Sequence, residues 1–330
     1  MPEQVPGTAS ATNHPITAPA TSRRIKAPEW AALLLFLLAE IVFFSFNSPY
    51  FPTWPNAVNI ITALSITGIL AAGGTILLIG GQFDLSVGSG TAFVALTFAL
   101  AAQHLGIMPA VGVALLVGLG IGVLNGFLVT VVGVNALITT LGSLAIFRGL
   151  TLSIGGASSI RINNFDWAIS RPFLDIPLSA MVFLLVAVIV GIVLARTVFG
   201  RTIYAIGANE NAARLVGIRT KRTLFFGFVI SGLCMTTTGL VSASQLGSTS
   251  GTTGIGLELA VVTAIILGGT SLKGGTGSMF GTVLGLLIVG VLNNGMTLMN
   301  INSTWQQVAA GVLLILAVSF DQIRQRIIRG

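Results

Sequence analysis

The sequence predicts an all-α fold: a polytopic membrane helix bundle of about ten transmembrane helices, with both termini cytoplasmic. Three observations lead there. Hydrophobic residues make up 54% of the 330 residues and charged residues only 8%. A soluble domain carries about 25% charged residues, so this chain lacks the polar coat that water requires. The apolar residues gather in about ten runs near the ~20-residue length that spans a bilayer core. The basic residues concentrate on alternate connections, the bias that marks the cytoplasmic side.

In chain order, residues 1–27 read as a disordered cytoplasmic tail, rich in Pro, Thr and Ala and ending in Arg23, Arg24 and Lys26. The membrane domain then covers 28–320, and 321–330 form a cytoplasmic C-terminal tail. The first run is not followed by a small-residue cleavage site, so it reads as an uncleaved span and not a signal peptide. The spans are placed at 28–46, 57–79, 86–104, 108–131, 136–155, 177–196, 223–245, 257–270, 279–299 and 303–320. The eighth is short and follows "GSTSGTTGIG", which suggests a broken or re-entrant helix. Glu40 and Arg148 are read as the ionisable residues inside spans. With the N-terminus inside, thirteen of the sixteen basic residues lie on the cytoplasmic side, and only Arg148, Arg161 and Arg171 fall toward the other.

Several function classes are set aside by composition. The single cysteine, Cys234, lies in an apolar run and reads as a core residue. His14 and His104 have no metal-ligand spacing, so neither a metal nor another cofactor is expected. The net charge of +7 reflects the cytoplasmic bias, not nucleic-acid binding. "GGTSLKGGTGS" is glycine-rich but lacks the Gly-Lys-Ser/Thr that cradles phosphates. No nucleophile–base–acid set is present, so the chain reads as a non-enzyme.

The glycines at 118, 122 and 126, and again at 281 and 285, recur every four residues. In lipid this spacing lets helices approach closely, and it predicts a tightly packed bundle.

Asp84, in "LLIGGQFDLSVGSGTAFVAL", sits between two apolar runs. Three readings fit it. Its carboxylate caps the next helix at a cytoplasmic turn, or it belongs to a broken helix near mid-membrane that binds a solute or ion, or it meets a cytoplasmic partner. Asn125, Asn135, Asn293 and Asn294 lie within or beside apolar spans. Unpaired in hydrocarbon each costs several kcal/mol, so they make interhelical hydrogen bonds or line a pathway. Phe93 is a further pathway candidate. The cytoplasmic loop 197–222 contains "NENAARLVGI", which predicts a short helix capped by Asn209, with Glu210 and Arg214 paired four residues apart and Gly217 ending it. Its small apolar surface suits docking into a groove on another protein.

Four segments carry a resemblance. "YAIGANENAARLVGI", "GGQFDLSVGSG", "NALITTLGSLAIFRGL" and "AIILGGTSLKGGTGSMFGTVLGLLIVGVLNNGMTLMNI" resemble, in family order, segments of ABC-type monosaccharide import permeases of the ribose/xylose/arabinose class. The resemblance spans nearly all of residues 30–320, with Lys273 and the long N-terminal tail as departures. It implies an inner-membrane permease subunit, paired with a second permease copy, driven by separate ATP-binding subunits and served by a periplasmic sugar-binding protein. It implies that Gly207–Gly217 form the coupling helix, with Gly207, Asn209, Glu210, Ala212, Ala213, Arg214 and Gly217 at the ATPase contact. It also makes the external loop 156–177 a docking rim for the binding protein through Arg161, Asp166, Arg171 and Asp175; the residues alone equally suggest a solvated loop with local ion pairs. The alternatives are a related importer permease for branched-chain amino acids or nucleosides, and a carrier that needs no ATPase. "DLSVGS" favours sugar over the first. The scarcity of intramembrane ionisable groups disfavours the second.

Overall fold

Local signals in the sequence set the helix ends. Thr53 opens the second helix by accepting the Asn56 N–H, with a proline in the first turn. Asn135 accepts the Leu137 N–H at 2.9 Å, and Ser278 the Gly281 N–H at 3.0 Å. Each supplies an acceptor for one of the orphan donors of a helix start. The computed structural model describes residues 29–156 and 158–329; the tail expected at 1–27 lies outside them. Twelve α-helices are formed among the described residues: α1 Glu29–Asn47, α2 Trp54–Ile79, α3 Val87–Leu105, α4 Ile107–Phe127, α5 Ala136–Gly155, α6 Leu178–Arg196, α7 Val198–Ala208, α8 Glu210–Leu215, α9 Thr220–Leu246, α10 Leu257–Leu267, α11 Met279–Leu298 and α12 Ser303–Arg329. α4 runs on into a π-helical turn, Leu128–Val132.

Seven of these are long and apolar enough to cross a membrane: α1, α2, α4 with its π turn, α5, α6, α9 and α11. The other three expected spans differ. α10 has eleven residues, about 16 Å at 1.5 Å per residue, or half of a ~30 Å bilayer core. α12 continues past the expected edge at 320 to Arg329. α3 is enclosed at the centre of the bundle, between α4, α5 and α9. Its first six residues are all buried.

Close backbone approach holds the centre together. On α4, a methyl group at Gly122 would lie 2.6 Å from the Phe228 carbonyl, and one at Gly126 3.2 Å from the Phe225 carbonyl, both on α9. Gly281 and Gly285 meet the Gly268 and Ala264 carbonyls in the same way. The four-residue glycine spacing is thus a packing device in both places.

Connections gather at two opposite ends. At one, the end of α2 meets the segment before α11, with the Gly275 N–H donating to the Ile79 carbonyl at 2.8 Å. The π turn after α4, the start of α5 and the start of α9 line a cleft there. At the other end, two short strands pair antiparallel: β1 (Ile160–Arg161) and β2 (Ser248–Thr249). They tie the α5–α6 connection to the end of α9.

Candidate functional site

The first site is the α7–α8 platform. Thr197 caps α7, accepting from the Gly200 N–H at 3.1 Å. α7 ends on the bundle itself. A methyl group at Gly207 would collide with the Ile79 carbonyl and the Gly275 N–H, and one at Gly275 would lie 2.8 Å from the Ala208 backbone. Only glycine allows three chain segments to meet so closely. The Tyr204 hydroxyl donates to the Gly277 carbonyl at 2.9 Å. Burial raises the pKa of that phenol, which keeps it a donor at neutral pH.

α8 then projects outward. Asn209 Oδ1 accepts the Ala212 N–H at 3.0 Å, and Arg214 pairs with Glu210 at 3.0 Å. Thr220 Oγ1 also donates to Glu210 Oε1 at 3.2 Å, which fastens α8 to the start of α9. The helix closes with a Schellman arrangement. The Gly217 N–H reaches the Arg214 carbonyl, the Ile218 N–H reaches the Ala213 carbonyl, and Gly217 adopts φ +87°. Leu215 and Val216 stand 89% and 78% exposed, while Ala212 is exposed beside them. Ala213 departs from the expectation. It is only 4% exposed and packs into the core, so its side chain anchors α8 and is closed to a partner. Between α8 and the α2–α3 turn lies a cleft of ≈ 410 Å³ lined by Gln82, Phe83, Asn135, Glu210, Arg214 and Lys221, among others.

Asp84 is not at a solvated turn. It is 7% exposed. Oδ1 accepts the Ser86 N–H at 3.0 Å and the Ser86 hydroxyl at 2.6 Å, and Oδ2 accepts the Ser231 hydroxyl at 2.8 Å. Asn125 Nδ2 donates to Ser86 Oγ at 2.9 Å, and Ser143 Oγ donates to Asn125 Oδ1 at 2.6 Å. Ser231 is eleven residues along α9 from Thr220, about 16 Å. The chain beyond Phe83 therefore runs back deep into the bundle, and Ser86 takes the N-cap position of α3. The carboxylate organises a network joining the turn to α4, α5 and α9. Asn125 belongs to this network and not to a cavity wall.

The sequence reading passed over a charge near this point. Glu258, the second residue of α10, has Oε2 enclosed and without a hydrogen bond, and a methyl group at Gly88 would collide with it. Arg148 on α5 donates to the Gly251 and Thr253 carbonyls at 3.1 and 2.8 Å. Arg148 thus holds the Gly/Thr-rich segment before α10 inside the bundle. An acid directly after the glycine run, at the head of an apolar stretch, was the available signal.

The remaining candidates separate. Asn135 is the cap of α5 at the inner cleft. Phe93 packs its ring on Phe147, 5.5 Å between centroids. Asn294 exchanges two hydrogen bonds with Asn56, at 3.0 and 2.9 Å. Asn293 lines a second cavity, between α2, α10 and α11. Arg161, Asp166, Arg171 and Asp175 are all exposed at the β1–β2 end. They make no ion pair among the described residues, where Arg214–Glu210 is the only one. The local pairing considered for that loop is absent, and exposed Phe173 and Leu174 form its tip.

Comparison with known proteins bears on all of this. The chain matches, over residues 56–318, the family described as branched-chain amino acid transport system / permease component. It is 37% identical to the ribose import permease protein RbsC of Escherichia coli (strain K12), over 88% of this chain and 93% of the relative. It is 36% identical to the D-allose transport system permease protein AlsC of the same organism, over 87% and 90%. It is 38% identical to the L-arabinose transport system permease protein AraH, also of that strain, over 84% and 86%. No solved structure matches the chain. A family match across most of the chain, and relatives above 30% identity over nearly their full length, leave one conclusion: the chain belongs to this family of membrane transport permease components.

Proposed function

We propose that the chain is the membrane subunit of an ATP-driven importer and forms the pathway for a monosaccharide delivered from outside by a periplasmic binding protein. The observation that carries the reading is α8. It is capped at both ends, fastened to α9, and joined through Gly207 and Ala208 to the ends of α2 and the 274–277 segment. Yet it leaves Leu215 and Val216 uncovered. A firmly held helix with an open apolar tip has the form of a docking element. An ATPase subunit, separate from this chain, is the partner it fits. The relatives' names point to sugars, where the family description names branched-chain amino acids. With the "DLSVGS" segment, this favours a sugar over an amino acid or nucleoside.

In this reading α8 and the inner cleft face the cytoplasm, and the β1–β2 end faces the periplasm across a bacterial inner membrane. With α3, α10 and α12 counted beside the seven long helices, the reading has ten passes and both termini inside. The basic residues agree: Arg196, Arg201, Arg214, Arg219, Lys221, Arg222 and Lys273 all flank the α8 end. Two copies of the chain form one pathway. Arg161, Asp166, Arg171 and Asp175 lie on the surface offered to the binding protein.

Leu215→Asp combined with Val216→Asp tests the docking role. Both side chains are exposed, so the isolated permease should keep its thermal stability. Co-purification with the ATPase and uptake of D-ribose, D-allose or L-arabinose should each fall at least tenfold. Undiminished co-purification would remove α8 as the docking element.

A further inference from the structure

A second cavity, of ≈ 330 Å³, lies between α2, α10 and α11. It opens along the outer parts of these helices: Asn59 is in the second turn of α2, and Thr297 is in the last turn of α11. It is lined without a single charged or aromatic residue. Ile60, Leu64, Leu286 and Val289 give it apolar wall. Its polar groups are what set it apart. Asn293 Oδ1 is enclosed with no hydrogen-bond partner, while the exposed Asn59 and half-buried Thr67 side chains face the same cavity without a partner among the described residues. The neighbouring Asn294 is fully engaged with Asn56, so the fold readily satisfies an amide at this level when packing is the purpose. Unpaired amides within membrane-crossing helices cost free energy unless a ligand or water completes them.

We infer that this cavity is a binding site for a small neutral polyhydroxylated solute, held by Asn59, Thr67 and Asn293. The proposal rests on the importer reading and deepens it by naming the pathway residues. The chemistry matches at each point. A carboxamide offers paired donor and acceptor groups to neighbouring hydroxyls. A wall free of charge excludes an ion or a zwitterion as the preferred occupant. Apolar side chains suit the C–H faces of a sugar ring, and the volume sits at the small end of the ~300–1,000 Å³ typical of ligand pockets. Asn59, Ala63 and Thr67 recur every four residues on one face of α2, so two polar side chains stand about 12 Å apart along the cavity with the small Ala63 leaving room between them.

The test uses the full transporter, reconstituted with its ATPase and binding protein, and whichever of D-ribose, D-allose or L-arabinose it takes up. Asn59→Leu with Asn293→Leu should cut uptake at least tenfold, while ATPase stimulation by the loaded binding protein stays within twofold. The same double variant should raise the melting temperature of the permease, because it removes polar groups that the protein leaves unpaired. A fall in melting temperature would mean that the amides are partnered for packing, and uptake within twofold of the parent would mean that the solute passes elsewhere; either overturns the site. A separate arm does not depend on the importer reading. Ala63→Cys in the intact complex should react with a membrane-impermeant methanethiosulfonate. An unreactive thiol overturns the proposal. So does a spontaneous Ala63→Cys disulfide between two chains, which would mean that a second copy fills the groove. Failure of the parent transporter to hydrolyse ATP or take up any of the three sugars would instead strike the importer reading, and thiol access would still decide the cavity.

Discussion

Two polar clusters in different halves of the bundle treat their side chains in opposite ways. Around α3, α4, α5 and α9, Asp84, Ser86, Asn125, Ser143 and Ser231 satisfy one another completely. Around α2, α10 and α11, Asn59, Thr67 and Asn293 stand open on a cavity. Sequence alone makes Asn125 and Asn293 equivalent, since each is an amide within an apolar span. What separates them is whether a neighbouring helix brings a partner. A saturated network fixes geometry and leaves nothing over for a solute. An unsaturated one is the half where cargo finds hydrogen bonds.

The comparison breaks most sharply at Asp84. Asp84→Ala leaves the Ser86 and Ser231 donors inside the bundle without an acceptor. Each buried donor left unsatisfied costs about 1–3 kcal/mol, so the variant should lose on the order of 3 kcal/mol or more and yield little folded protein by size-exclusion and thermal unfolding. A stable, abundant Asp84→Ala protein would end the view of that half as structural. Arg148→Met is the next test. It strips the Gly251 and Thr253 carbonyls of their donor, at about 1–3 kcal/mol for an unsatisfied buried group. It should open the 247–256 segment to protease in detergent, with a smaller loss of melting temperature than Asp84→Ala. The smallest effect belongs to Glu210→Ala. Its ion pair with Arg214 is largely exposed, and such i,i+4 pairs contribute about 0.3–0.5 kcal/mol. Thermal unfolding should barely move, whereas any drop in ATPase retention would come from the reorientation of α8.

How much of this was legible in advance follows from where each signal resides. Asn209, Glu210, Arg214 and Gly217 act within one helix and its caps, so their spacing is a local property that the residues carry by themselves. Depth in the bundle is not local. "GGQFDLSVGS" reads as a turn, but only the packing of Ser231 and Asn125 reveals that Asp84 and Ser86 lie far inside. Ala213 illustrates the same limit at smaller scale: a six-residue helix has no period long enough to show which face it buries. Glu258 sits at the second position of the eighth expected span, but its place beside Gly88 is set by contacts distant in sequence.

The meeting of Gly207, Ile79 and Gly275 carries a mechanical consequence. Most contacts between moving parts of a protein run through side chains, whose rotamers take up the first fraction of any displacement, as slack does in a gear train. This joint is made of backbone against backbone, with no torsion to turn before force is felt. In the proposed importer, a push arriving at α8 would reach the end of α2 and the segment before α11 without backlash. A larger residue at 207 would not simply weaken the contact; it would put play into the linkage, so that ATP is spent while the pathway stays still.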